Sequence, residues 1–146
     1  MNRILKLCAC SIMAVFFALG VSGCGGVRLD GKKIGKPVNA QMMRALYYST
    51  ILFINEADDF EALCSIFDGV EYTSIEDLSE EDSYVFNGVS VCFYYLSGET
   101  ADMLVSADGK SHCSYKDNQY ITEVGAVDYE ALIDLVTKLE QEKTEG

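Results

Sequence analysis

The segment that decides the fold is YVFNGVSVCFYYL, residues 84–96, which carries the strongest strand pattern in the chain. It is rich in β-branched and aromatic residues, the types that fit a pleated sheet best. From Val89 onward apolar side chains occur on both faces, which predicts a central strand.

Two further strands are predicted after this one. The residues SGET turn the chain, and ADMLVSADGKSHCSY, residues 101–115, then divides into two short strands. Asp108-Gly109 joins them, a pair that favours positive φ angles at the centre of a tight hairpin. YITEV, residues 120–124, is compatible with an extension of the last strand. The pattern therefore predicts an antiparallel meander.

Helices are predicted before and after the meander. ADDFEALCSIF, residues 57–67, places apolar side chains at helical spacing, with Asp58 or Asp59 as its cap. VDYEALIDLVTKLEQ, residues 127–141, shows the same spacing, with Asp128 as its cap. The apolar positions of this second helix are Leu132, Leu135, Val136 and Leu139.

The remaining segments complete the predicted order. YYSTILFI, residues 47–54, predicts a strand, and NAQMMRAL, residues 39–46, predicts either a helical turn or part of that strand. EYTSIEDLSEEDS, residues 71–83, is acidic and predicts an exposed loop. The resulting order, β-α-β-β-β-α, predicts an α+β domain in which a small antiparallel sheet carries helices on one face.

Charge is distributed unevenly along the chain. Residues 25–36 carry 4 basic side chains and 1 acidic side chain, a net charge of +3, whereas residues 37–146 carry 5 basic and 22 acidic side chains, a net charge of −17. A surface this acidic repels nucleic-acid phosphates, which excludes nucleic acid as a partner. The glycines and basic residues of residues 25–37 predict a flexible tether.

The first 24 residues, MNRILKLCACSIMAVFFALGVSGC, have the three parts of an export signal: a basic start, an apolar stretch and a close of small residues. The motif Val21-Ser22-Gly23-Cys24 resembles the lipobox of bacterial lipoproteins. The resemblance implies a diacylglycerol on the Cys24 sulfur, cleavage before Cys24, and a further acyl chain, such as palmitate, on the new amine. Two or more acyl chains make a durable membrane anchor.

The resemblance also implies a division of the chain. Residues 1–23 would be the signal peptide, residues 24–37 the lipid anchor and basic tether, and residues 38–146 an exported acidic domain in the bacterial cell envelope. An uncleaved transmembrane anchor is the alternative, because residues 7–27 are 21 uncharged residues and about 20 suffice to cross a bilayer. The glycine-rich end of this segment favours lipidation.

No pattern typical of a catalytic, cofactor-binding or metal site stands out in the sequence. His112 stands beside Cys113, which suggests a nucleophile pair. Adjacent residues of a strand point to opposite faces, however, so we predict that these side chains diverge. The acidic stretch at residues 76–82 lacks the ligand pattern of an EF-hand, and whether it binds a cation stays open.

We therefore predict that the exported domain is a binding or interaction module for an envelope or extracellular partner. Its tyrosines would form either an exposed platform on the free face of the sheet or part of the core; they are Tyr94, Tyr95, Tyr115 and Tyr120. An anchored carboxylate-dependent hydrolase is the enzymatic alternative, disfavoured because no nucleophile–base motif occurs. An accessory or inhibitory subunit that presents its acidic face is the third.

Three cysteines follow Cys24, namely Cys64, Cys92 and Cys113. In a meander the backbones of Cys92 and Cys113 would lie two strands, or about 9.6 Å, apart. A disulfide needs Cα atoms within about 7 Å. We therefore predict that all three cysteines are free thiols, with Cys64 buried in the first helix.

Overall fold

The computed structural model describes residues 26–44, 50–76 and 88–146, which form nine strands and two helices. The strands are β1 (Arg28–Leu29), β2 (Lys32–Lys33), β3 (Pro37–Arg44), β4 (Leu52–Phe53), β5 (Glu71–Ile75), β6 (Val89–Tyr95), β7 (Thr100–Val105), β8 (Ser111–Tyr115) and β9 (Asn118–Ile121). The helices are α1 (Ala57–Phe67) and α2 (Tyr129–Glu145).

All nine strands form one sheet in the order β2-β1-β5-β9-β8-β7-β6-β3-β4. Neighbouring strands are antiparallel except for β1 and β5, which run parallel, so the sheet is mixed. The sheet curves into a half-barrel and dominates the fold. The predicted α+β fold, with a small antiparallel sheet and helices on one face, is therefore wrong.

The central meander is where the sequence predicts it. Strands β6, β7 and β8 are consecutive neighbours, and β6 lies inside the sheet between β7 and β3. Alternate residues of β6 are buried, and its other side chains are half-buried on the opposite face. The buried face packs against the helices: the rings of Phe93 and Phe67 meet edge to face, with centroids 5.4 Å apart.

Strand β5 occupies part of the segment predicted as an exposed loop. The Tyr72 side chain points into the core, where its hydroxyl oxygen lies 2.8 Å from the Ser111 hydroxyl oxygen. The sequence EYTSI does not reveal this strand because Glu71, Thr73 and Ser74 are polar and exposed, and only Tyr72 is fully buried. Strand β9 is likewise a separate strand, paired with both β5 and β8, where an extension of β8 was predicted.

Within residues 26–36, assigned to a tether from the sequence, Arg28–Leu29 and Lys32–Lys33 are strands of the sheet. Strands β1 and β2 form a hairpin, and β1 pairs with β5. Val27 and Leu29 are buried core residues. Their burial fixes the chain from residue 26 onward against the domain, because two apolar side chains would have to be exposed to release it.

Strand β3 shows that residues 39–44 are extended, which excludes a helical turn there. Of the strand predicted at residues 47–54, the described residues 50–54 contain the two-residue strand Leu52–Phe53. Residues 45–49 lie outside the described residues.

Helix α2 begins as predicted, since the Asp128 carboxylate accepts a hydrogen bond of 3.1 Å from the Ala131 amide. All four of its predicted apolar positions are buried. Helix α1 also lies where predicted, but its N-cap is Glu56, without a side-chain cap bond. Within the described residues, no helix has both the length and the apolar character needed to span a membrane.

The β7–β8 turn contacts the loop that leads into α2. The amide of Val127 donates to the Gly109 carbonyl at 3.0 Å, and the amide of Gly125 donates to the Asp108 carbonyl at 2.9 Å. Gly109 has φ +78°, a conformation that side-chain-bearing residues rarely adopt. A Cβ at Gly109 would lie 2.7 Å from the Val127 carbonyl oxygen, so only glycine fits here.

Candidate functional site

The predicted divergence of His112 and Cys113 is confirmed. Cys113 is fully buried on the core face of β8, whereas His112 is half-buried on the opposite face, level with Leu104 and Ile121. Burial raises the pKa of the Cys113 thiol to about 12. The two side chains therefore form no nucleophile pair.

Within the described residues, Cys64, Cys92 and Cys113 form no disulfide. Cys92 and Cys113 lie on opposite faces of the sheet, with β7 between their strands. Partial burial, assisted by a hydrogen bond to Asp102, raises the pKa of the Cys92 thiol to about 11. At neutral pH Cys92 is thus protonated, and the protonated form is not the nucleophile.

The four tyrosines do not form a platform on one face. Tyr95 is buried, and Tyr115 and Tyr120 pack against the core. The Tyr115 hydroxyl donates to Glu99 at 2.8 Å. Tyr94 alone of the four lies on the face opposite the core. These four tyrosines therefore form no aromatic cluster on that face of the sheet.

Two of the sequence-based candidates fall mainly outside the described residues. Cys24 is one, and the acidic stretch at residues 76–82 is the other, with Glu76 its only described member. Within residues 26–44, 50–76 and 88–146, no three His, Cys, Asp or Glu side chains meet in an arrangement that could hold a metal ion.

A cleft of about 310 Å³ opens where β4, the start of α1 and the end of α2 meet. We call it the α1–α2 cleft. Its walls combine an apolar part with polar and charged groups: Leu52, Phe53, Asn55, Glu56, Asp59, Leu139, Glu142 and Lys143. Its volume is at the lower end of the range for small-molecule sites, and this mixture of apolar wall and few polar groups is typical of them.

Asp59 is the most unusual residue of the cleft, because its carboxylate is only 5% exposed. Its Oδ1 accepts a hydrogen bond from the Lys138 ammonium group at 2.5 Å, whereas its Oδ2 is buried and accepts none from the described residues. The hydrogen bond to Asp59 raises the pKa of Lys138. A buried carboxylate oxygen without a donor is costly, and Asp59 lies in the lining of this cleft.

The charges of the cleft favour a cation. Its lining contains three carboxylates, Glu56, Asp59 and Glu142, and one ammonium group, that of Lys143. The Lys143 ammonium donates to the Ile51 carbonyl oxygen at 3.3 Å. Lys138 lies 3.6 Å from Glu142 as well as beside Asp59. With both lysines counted, the cleft keeps one negative charge in excess.

A second, wider hollow lies between the end of α1, the β7–β8 turn and the start of α2, and it contains four carboxylates. Two of them are used by the fold itself. Asp108 accepts hydrogen bonds from Ser106 and from the Lys110 amide, and Asp128 caps α2. These two carboxylates of the hollow therefore have structural roles.

The chain matches no protein-family model, no curated protein and no solved structure. The site must therefore be judged on its own side chains. Sequence reasoning missed the α1–α2 cleft because Asp59 fits the pattern of a helix cap, whereas its partner Lys138 lies 79 residues further along the chain.

Proposed function

We propose that this protein is a lipid-anchored extracytoplasmic binding module whose α1–α2 cleft takes a small organic cation or a basic side chain of a peptide. The observation that carries the binding part of the proposal is the buried Asp59 carboxylate in an acidic, partly apolar cleft. A compact ammonium group can donate several hydrogen bonds, and a short hydrocarbon chain attached to it suits the Leu52 and Leu139 walls.

The membrane part of the proposal rests on Val21-Ser22-Gly23-Cys24 and on the basic and apolar segments before it. Lipidation at Cys24 would keep the mature domain at the outer side of a membrane of the cell envelope, in contact with extracellular or periplasmic solutes. A binding module is suited to this position because it samples solutes without leaving the membrane.

Replacing Cys24 with serine is expected to abolish lipidation and the cleavage that depends on it, because serine lacks the sulfur that accepts the diacylglycerol. Intact-mass spectrometry of protein from bacterial membranes should show a wild-type chain that starts at Cys24 and carries acyl chains. The Cys24→Ser chain should keep residues 1–23.

Cys10→Ser, a serine for cysteine exchange inside the removed segment, is the matched control and should leave processing unchanged. An intact N-terminus with unmodified Cys24 in the wild type would contradict the proposal and favour the transmembrane anchor.

Cadaverine, a five-carbon diamine, is expected to bind the α1–α2 cleft of the mature protein with a dissociation constant on the order of 1 mM, as its few heavy atoms allow. Glutarate, which has the same chain length and the opposite charge, should not bind. NMR titration of the protein in neutral detergent micelles measures both, and the shifted amides should cluster at the lining residues.

The double variant Glu56→Gln/Glu142→Gln should weaken cadaverine binding at least about fivefold, because it removes two carboxylates from the cleft. Glu71→Gln/Glu123→Gln removes the same charge from exposed positions outside the cleft and should change the affinity little. Equal losses in the two double variants would show that the cation senses only the acidic surface, and would overturn the cleft as the binding site.

A further inference from the structure

The folded part of the chain begins close in sequence to the predicted lipid anchor at Cys24. Gly26 is the first described residue, and Val27 is already buried. Only Gly25 lies between Cys24 and Gly26, so the Cα atoms of Cys24 and Gly26 are at most about 7 Å apart. A lipid on Cys24 would therefore hold the domain directly at the bilayer surface, by the side from which Gly26 emerges.

That side can be identified from the contacts of residues 26 and 27. A Cβ on Gly26 would lie only 2.9 Å from the Gly35 carbonyl oxygen, so these two backbones are in close contact. The Ile34 amide donates to the Val27 carbonyl at 3.3 Å. Gly26 and Val27 also share a small cavity with Pro37 and Tyr95. The chain thus leaves the domain beside the loop between β2 and β3.

Three lysines belong to the chain segment beside this exit: Lys32, Lys33 and Lys36. All are exposed, and none forms an ion pair within the described residues. Residues 25–36 have a net charge of +3 against −17 for residues 37–146. An anionic bilayer repels most of this domain and attracts only the region of the exit, since the surface potential acts within about 10 Å.

Two exposed apolar side chains lie beside the same exit. Val38 is 57% exposed and follows Pro37 at a shift in the register between β3 and β6. Leu96 is 90% exposed and follows Tyr95, the residue opposite Pro37. Exposed aliphatic side chains next to lysines are typical of surfaces that rest in the interface of a membrane.

The acidic groups of this region are engaged within the fold. Asp30, in the β1–β2 turn, accepts a hydrogen bond from the Ser74 amide at 2.9 Å. Glu99, in the β6–β7 turn, pairs with Lys116 at 3.0 Å. The three lysines therefore keep their charge available for an external anionic partner.

We infer that Lys32, Lys33, Lys36, Val38 and Leu96 form a membrane-docking surface, which lies flat on anionic phospholipid headgroups and fixes the orientation of the domain. The inference rests on the proposed lipidation of Cys24. On this surface the domain would keep one fixed orientation at the membrane instead of moving freely on a tether.

Labelling with an amine-reactive reagent tests this pose on the mature acylated protein in vesicles. The vesicles consist either of phosphatidylcholine alone or of phosphatidylcholine with phosphatidylglycerol in a ratio of seven to three. Peptide mass spectrometry should show that labelling of the three lysines falls at least about fivefold in the anionic vesicles. Lys110, in the β7–β8 turn at the opposite end of the strands from Leu96, should change less than about twofold, and about 0.5 M salt should reverse the protection.

Leu96→Asp should restore at least half of the lost labelling, because it places a negative charge against the headgroups. Val124→Asp, at another exposed apolar position that is 66% exposed, is the matched control and should leave the protection intact. If the lysines of acylated protein react equally in both kinds of vesicle, the docking surface is contradicted but the proposed function is not. A chain without acyl groups at Cys24 would overturn both.

Discussion

Replacing Gly109 with alanine is expected to lower the free energy of unfolding by about 3 kcal/mol, from backbone strain and close contact together. The φ angle of +78° strains any residue with a Cβ, and that Cβ would also lie 2.9 Å from the Gly125 Cα. Because neighbouring backbone supplies the contacts, the turn and the loop before α2 would have to separate. Urea unfolding followed by circular dichroism measures the loss.

Gly98→Ala is the matched control for this prediction. Gly98 has a similar φ of +87° in the β6–β7 turn, but nothing lies within 4 Å of a Cβ placed there. Its substitution should cost only the conformational strain, about 1–2 kcal/mol. Equal losses for the two variants would show that the β7–β8 turn does not pack against the loop at residues 125–127.

Replacing Phe93 with alanine is expected to cost about 3–5 kcal/mol, the range for deleting a buried aromatic side chain. Phe93 is 1% exposed and lies beneath α1, where its ring meets that of Phe67. The cavity left behind would lie between the sheet and the helix, and neither can close it without moving the other. Chemical unfolding monitored by tyrosine fluorescence provides the measurement.

Tyr94→Ala in the same strand provides the comparison, because Tyr94 points to the opposite face. Its loss should cost about 1 kcal/mol or less, as expected for a strand position outside the core. A larger effect at Tyr94 than at Phe93 would mean that the strand is turned over relative to the helices, since a shift of one residue exchanges the two faces.

The elements that the sequence predicts correctly are those specified by neighbours in the chain. Helix α2 has its cap at Asp128 and an apolar stripe that follows within eleven residues. Strands β7 and β8 are joined by Asp108-Gly109, whose conformational preference sets the hairpin. Each pattern is local, so it can be read without knowledge of the rest of the fold.

The elements that the sequence does not reveal depend on partners far along the chain. Strand β1 has two residues and pairs with β5, some forty residues later. Strand β5 contributes Tyr72 to the core, but three of its other four side chains are polar and exposed, which suggests a loop. For the same reason the α1–α2 cleft could not be predicted, since it forms only when Asp59 and Lys138 meet in the folded chain.

The two strands at the ends of the sheet order, β2 and β4, comprise only two residues each. An edge strand offers unpaired backbone groups to any strand that approaches it, and a short edge offers few. Proteins held on a membrane meet their neighbours at high local concentration, within a plane and in similar orientations. If Cys24 is lipidated as proposed, the shortness of these two edges of the described sheet, and the lysines that form β2, would keep neighbouring copies from joining their sheets into a fibre.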